Sequence, residues 1–67
     1  MKYDTPEYNS ICAKLGVRPE SHFVKVTNRG TITFTAGKPD EVRWLLAQVK
    51  AAGMTPAKSL IRAARGQ

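Results

Sequence analysis

The sequence contains few of the residue types that catalytic and metal sites require. Its 67 residues include one cysteine and one histidine. A single cysteine cannot close a disulfide within the chain, which favours a reducing, cytoplasmic location. Cys12 follows the apolar spacing of a predicted helix, where a thiol acts as a small core residue, and His22 stands at the start of a predicted strand. We therefore predict no enzymatic activity, no catalytic residues, no metal ligands and no cofactor.

Long hydrophobic segments are also missing. The longest apolar run is Trp44–Ala47, far short of the roughly 18 residues that a membrane helix needs. The first ten residues have no apolar centre, so we expect neither a secretory signal nor a membrane partner. A length of 67 residues with 42% hydrophobic content predicts one small domain over residues 1–67. Such a domain is marginally stable alone, and a homodimer or a partner would supply further burial.

Acidic residues are missing from the C-terminal third of the chain. The net charge is +6, yet acids and bases balance over residues 1–20. The excess therefore belongs to residues 43–67, which contain Arg43, Lys50, Lys58, Arg62 and Arg65 without one acid. A field of this sign favours polyanionic partners. The simpler interpretation is that these charges only keep the protein soluble.

The residues that are present predict a helix first, over residues 6–15. Thr5 is a good N-cap, Pro6 suits the first helical position, and Gly16 is placed to end the helix. One face is apolar, formed by Tyr8, Ile11, Cys12 and Leu15.

A β-hairpin follows, with strands over residues 22–27 and 31–36. Its turn is residues 28–30, with Gly30 in the left-handed position. Pairing Val24 with Phe34, and Val26 with Ile32, puts these four apolar side chains on one face. The opposite face then holds Lys25 and a row of threonines: Thr27, Thr31, Thr33 and Thr35.

Two further helices are predicted, over residues 40–52 and about 56–65. The first has the apolar stripe Val42, Leu45, Leu46, Val49 and Ala52 and ends at Gly53. Thr55 is the predicted cap of the second, and Pro56 its first residue. Its buried face would be Ala57, Leu60, Ile61 and Ala64. The predicted class is α+β, in the order α-β-β-α-α, with the two-stranded antiparallel hairpin packed on the helices.

The two C-terminal helices resemble a helix-turn-helix over about 20 residues. The stretch from Ala52 to Thr55 matches the usual small-Gly-apolar-Ser/Thr turn, although Ser59 stands where that motif has a branched apolar residue. The resemblance implies that Lys58, Arg62 and Arg65 contact phosphates while Ser59 approaches a base edge. Arg43 and Lys50 extend the predicted nucleic-acid surface. The alternative is an ordinary helical hairpin whose basic face meets only water.

The hairpin is a second candidate surface. Lys25 and Arg29 accompany the threonine row, and a two-stranded ribbon fits a major groove. Phe23 falls on the same face, where it would stack on a base or join a protein interface. The alternatives are a solvated outer face and strand addition by a partner at an open edge of the hairpin.

Trp44 points away from the apolar stripe of its helix. Ala47 and Ala51 lie beside it and complete a second, smooth apolar face. Another helix of the chain would cover this face, or it is a protein interface, for which Trp44 with Arg43 is a typical composition.

Three functional hypotheses follow. The first is a non-enzymatic nucleic-acid-binding module or small regulator that contacts DNA or RNA through its basic C-terminal half. The second is an inhibitor or adaptor of the phage-type mobile-element kind, which binds a host protein or nucleoprotein complex through Trp44 or a hairpin edge. The third is a structural subunit that dimerises through the main helix.

Overall fold

The secondary structure follows the predicted order. A computed structural model describes residues 1–66 of the chain. Its elements are α1 (Pro6–Leu15), a 3-10 turn (Pro19–Ser21), β1 (Val24–Val26), β2 (Ile32–Phe34), α2 (Pro39–Ala51) and α3 (Lys58–Ala64). Three helices and a two-stranded antiparallel hairpin make a small α+β domain, so the predicted fold class is confirmed.

Helix α1 begins and ends where its capping residues predict. The Thr5 side chain accepts a hydrogen bond from the Tyr8 amide, and Pro6 is the first helical residue. Gly16 has a φ of 74°, and its left-handed backbone lets its N–H bond the last helical carbonyls. Tyr8, Cys12 and Leu15 are fully buried, so the predicted apolar face does lie in the core.

The hairpin has the predicted register but shorter strands. Val24 lies opposite Phe34, and Val26 lies opposite Ile32. Gly30 has a φ of 81°, as the three-residue turn requires. The prediction that β1 begins at His22 is wrong. Residues 19–21 form a 3-10 turn, and His22 follows it with a φ of 56°, which is incompatible with a strand.

Both outer edges of the hairpin already have partners within the chain. On β1, the Val24 carbonyl accepts from the Tyr8 hydroxyl at 2.8 Å and the Val26 carbonyl accepts from the Met1 nitrogen at 2.9 Å. On β2, the Ile32 N–H donates to the Thr55 carbonyl and the Ile32 carbonyl accepts from the Ala57 N–H. The expectation of two open edges is therefore wrong at these positions, and strand addition would have to displace existing bonds.

Helix α2 buries Val42, Leu45 and Val49, with Leu46 half-buried at the margin. The prediction that Ala52 belongs to the apolar stripe is wrong, because α2 ends at Ala51 and Ala52 is exposed in the turn.

The predicted start of the last helix is also wrong. α3 begins at Lys58 with Ala57 as its N-cap. Thr55 and Pro56 are extended instead, since the backbone on either side of Pro56 pairs with Ile32. Pro56 suits this bridge because the bonds use only the Thr55 carbonyl and the Ala57 N–H, so the missing proline N–H is not needed.

One hydrophobic core joins the three helices to one face of the hairpin. Its fully or almost fully buried members are Tyr8, Cys12, Leu15, Val24, Val26, Ile32, Val42, Leu45, Val49 and Leu60. Phe23 is half-buried against this core, and its ring lies directly over Gly37. The ring is therefore partly covered by the chain itself after β2 and is not fully open to a partner.

Candidate nucleic-acid interface

Helix α3 lies between the hairpin and α2 and turns its charged side outward. It packs on α2 and on β2, and Leu60 is fully buried beneath it. Lys58, Arg62 and Arg65 are all exposed. Their spacing of four and three residues places them on one side of the helix. The helix therefore presents three cations to solvent.

The hairpin adjoins this helix through a pair of hydroxyl groups. The Thr33 hydroxyl lies 3.2 Å from the Ser59 hydroxyl at the start of α3. Lys25 is the cross-strand neighbour of Thr33 and shares its face of the sheet. The two basic surfaces predicted separately from the sequence therefore form one. We name it the hairpin–α3 surface: Lys25, Thr33, Lys58, Ser59 and Arg62. Arg29 is exposed at the hairpin turn.

The remaining predicted cations line a groove between α2 and α3. This α2–α3 groove has a volume of about 410 Å³ and is lined by Arg43, Leu46, Ala47, Lys50, Ala64 and Arg65. Three of its lining residues are basic and three are aliphatic. The sequence contains a signal for this groove, because Arg43 and Lys50 are seven residues apart and enclose Leu46 and Ala47. The groove itself was not predicted, because it forms only where α3 packs beside α2.

The cations of α2 and α3 have almost no acidic neighbours. Within residues 1–66 the one ion pair joins Arg43 to Asp40 at 2.6 Å. The Arg43 side chain is 58% exposed and that of Asp40 is 91% exposed, so this pair contributes about 1 kcal/mol at most. Lys50, Lys58, Arg62 and Arg65 form no ion pair in this part of the chain. Their charge is therefore not compensated locally.

The predicted helix-turn-helix geometry does not form. Six residues, 52–57, separate α2 from α3 where the motif would have a four-residue turn, and α3 is only seven residues long. Ser59 was expected to approach a base edge, but its hydroxyl is paired with Thr33. The resemblance fails because the connection is extended along β2 and delays the start of α3 by two residues.

Trp44 is partly covered by α1. Its ring lies close to Gly16, and the neighbouring Gln48 side chain donates to the Leu15 carbonyl at 3.3 Å. Even so, Trp44 remains 44% exposed, and Ala47 and Ala51 beside it are exposed as well. Trp44 is therefore neither fully covered by another part of the chain nor fully open as an interface.

The residues considered for catalysis lie in different environments. Cys12 is fully buried, whereas His22 is exposed with its ring 4.2 Å from that of Tyr3. Burial raises the pKa of Tyr8 well above its ordinary value. Tyr8 is therefore a structural hydroxyl that stays protonated.

No helix within residues 1–66 has both the length and the apolar character needed to cross a membrane. Comparison with protein families, curated proteins and solved structures finds no match to this chain.

Proposed function

We propose that this protein is a non-enzymatic module that binds nucleic acid through the hairpin–α3 surface. The observation that carries the proposal is the set of exposed, uncompensated cations on and beside α3. Lys58 and Arg62 are exposed on the helix and form no ion pair within residues 1–66. Because no carboxylate within residues 1–66 has to be displaced from them, their charge is available to phosphates.

Hydroxyl groups between these cations support the same function. Thr33 and Ser59 lie between Lys25 on the sheet and Lys58 and Arg62 on the helix. The Thr33–Ser59 bond uses one hydroxyl hydrogen and leaves the other free to donate to a phosphate oxygen. Contacts to phosphate position a protein without reading sequence. The surface therefore favours binding to the backbone over recognition of a particular base sequence.

Salt dependence tests the proposal directly. About four phosphate contacts correspond to a slope near −3.6 in log K against log salt, so affinity should fall more than about a hundredfold between roughly 50 and 200 mM salt. Fluorescence anisotropy with labelled duplex and single-stranded DNA and RNA measures this slope. Failure to bind any of the four at low salt would remove the proposal.

A matched pair of variants locates the surface. Lys58→Ala with Arg62→Ala removes two cations from α3, and we expect the salt slope to become smaller by about two. Lys2→Ala with Lys14→Ala removes the same charge from exposed positions in and before α1. The control pair should change the slope much less. Equal losses in both variants would mean that net charge, and not this surface, governs binding.

A further inference from the structure

We infer that the α2–α3 groove is a separate docking site for an acidic segment of a partner protein. The segment would have an apolar side chain with carboxylates on either side of it. This inference does not rest on nucleic-acid binding, because no residue of the hairpin–α3 surface lines the groove. The proposed protein-binding site is this groove, with its basic and aliphatic lining, and not Trp44 or a hairpin edge.

The floor of the groove is aliphatic. Leu46 and Ala64 are half-buried and Ala47 is exposed. None of the three side chains carries a hydrogen-bonding atom, so a polar group seated on them would lose its water without gaining a partner. An apolar side chain gains from the same burial. The volume of about 410 Å³ lies at the lower end of the range for ligand pockets, which suits a short segment.

The rim of the groove is basic on both walls. Arg43 and Lys50 are seven residues apart on α2, which corresponds to about 10.5 Å along the helix axis. Arg65 comes from the C-terminal end of α3. Arg43 is bound to Asp40, but an exposed pair of this kind is weak enough to exchange for another carboxylate. Carboxylates on either side of the apolar anchor would therefore find arginine or lysine partners.

Other occupants fit the groove less well. Bases of single-stranded nucleic acid bind by stacking on aromatic rings, and none lines this groove. Phosphates would face methyl groups on the floor. A second copy of the chain also has a net charge of +6 and would be repelled. An acidic segment with an apolar anchor complements both the rim and the floor, as in the binding of an amphipathic helix to a groove.

Two synthetic peptides test the chemistry of the site. The first carries two leucines at helical i and i+4 positions flanked by glutamates, and the second replaces both leucines with serine. Their charge is identical. We expect the leucine peptide to bind at least about tenfold more tightly, because only it buries apolar surface on the floor. Equal binding of the two peptides, or binding of neither, would overturn the inference.

Two variants of the protein place the site. Ala47→Gln fills the floor from an exposed helical position, and Ala13→Gln makes the same change on α1. We expect Ala47→Gln to lower the affinity for the leucine peptide by about fivefold or more, and Ala13→Gln to leave this affinity unchanged. Circular dichroism checks that both variants fold. No effect of Ala47→Gln would overturn the inference.

An oligothymidylate distinguishes the two proposals. If Ala47→Gln weakens binding of the oligonucleotide but not binding of the peptide, the groove binds nucleic acid and the inference is wrong. Lys58→Ala with Arg62→Ala should weaken the oligonucleotide while leaving peptide affinity within about twofold, since these two side chains do not line the groove. Failure of all oligonucleotides to bind would remove only the proposed nucleic-acid function.

Discussion

Among residues 1–66, Tyr8 is the one core side chain whose hydrogen bond joins α1 to the hairpin. It is fully buried, its hydroxyl donates to the Val24 carbonyl at 2.8 Å, and its ring meets the Tyr3 ring edge-on at 5.0 Å. A buried carbonyl without a donor is costly, so this bond satisfies β1 as well as Tyr8.

Removing that hydroxyl should destabilise the protein. We expect Tyr8→Phe to lower the free energy of unfolding by about 1–3 kcal/mol, because the Val24 carbonyl is left buried without a donor. Urea denaturation followed by circular dichroism measures the change. Tyr3→Phe is the control, since Tyr3 is only half-buried and supplies no bond to β1. Similar losses in the two variants would contradict this role for Tyr8.

Tyr8 should also make stability depend on alkaline pH. Burial raises the pKa of Tyr8 in the folded protein, whereas the unfolded chain has the ordinary value near 10. The unfolded state therefore loses its proton first, and stability that is complete below about pH 10 should fall as the pH rises above it. The difference in unfolding free energy between wild type and Tyr8→Phe should shrink over this range. A constant difference from about pH 8 to 11 would refute the expectation.

Gly37 is required by its contact with Phe23. A Cβ at this position would lie 2.6 Å from the Phe23 ring, closer than two carbons can approach. We expect Gly37→Ala to cost about 1–3 kcal/mol through overpacking. In a double-mutant cycle, Phe23→Leu should recover part of this loss, because the smaller side chain leaves room for the new Cβ. Strict additivity of the two substitutions in denaturant titrations would show that the contact is not the cause.

At the scale of elements, the segment 55–57 determines how the C-terminal half meets the hairpin. Its two hydrogen bonds with Ile32 measure 2.9 and 2.8 Å and extend the two-stranded sheet by one bridge. The segment thereby covers the outer edge of β2 and sets the position at which α3 begins. It also brings Ser59 within reach of Thr33.

A proline substitution tests this bridge without straining the backbone. Ala57 has a φ of −69°, which proline adopts readily, so Ala57→Pro leaves the local backbone unstrained. It removes the N–H that bonds the Ile32 carbonyl and puts a ring carbon in its place, which breaks the bridge. We expect a loss of about 1–3 kcal/mol in chemical denaturation. Lys58→Pro is the control, because proline is tolerated at the first helical position. Comparable losses in both variants would show that the bridge contributes nothing specific.

At the scale of the whole molecule, a small core has to hold a strongly charged chain together. Ten side chains are buried within residues 1–66, while the net charge is +6 and residues 43–67 contain five cations and no acid. Mutual repulsion of these cations opposes folding. The surface proposed to bind a polyanion is therefore also one at which anions should stabilise the fold.

Screening that repulsion should raise the melting temperature. We expect about 0.5 M NaCl to increase Tm by several degrees relative to low salt, since a gain of 1 kcal/mol shifts a domain of this size by roughly 4–8 °C. Lys58→Ala with Arg62→Ala should show a smaller increase. Differential scanning calorimetry provides the measurement. A fall in Tm with salt would mean that favourable ion pairs outweigh repulsion.

The sequence by itself determined the features that depend on neighbours along the chain. The bounds of α1 follow from Thr5, Pro6 and Gly16, whose effects act within one helical turn. The hairpin register follows from the alternation of apolar residues and the three-residue turn. The uneven distribution of charge is a property of composition alone. Local signals of this kind need no knowledge of distant contacts.

Only the tertiary structure decided the features that join distant segments. Thr55 and Pro56 have the local signature of a helix start, but the backbone of Ile32 competes for the same segment and keeps it extended. The turn of Phe23 onto Gly37, the contact of Thr33 with Ser59 and the groove between α2 and α3 are likewise long-range. In each case tertiary packing or hydrogen bonding outweighed local preference, which is worth only a fraction of a kcal/mol per residue.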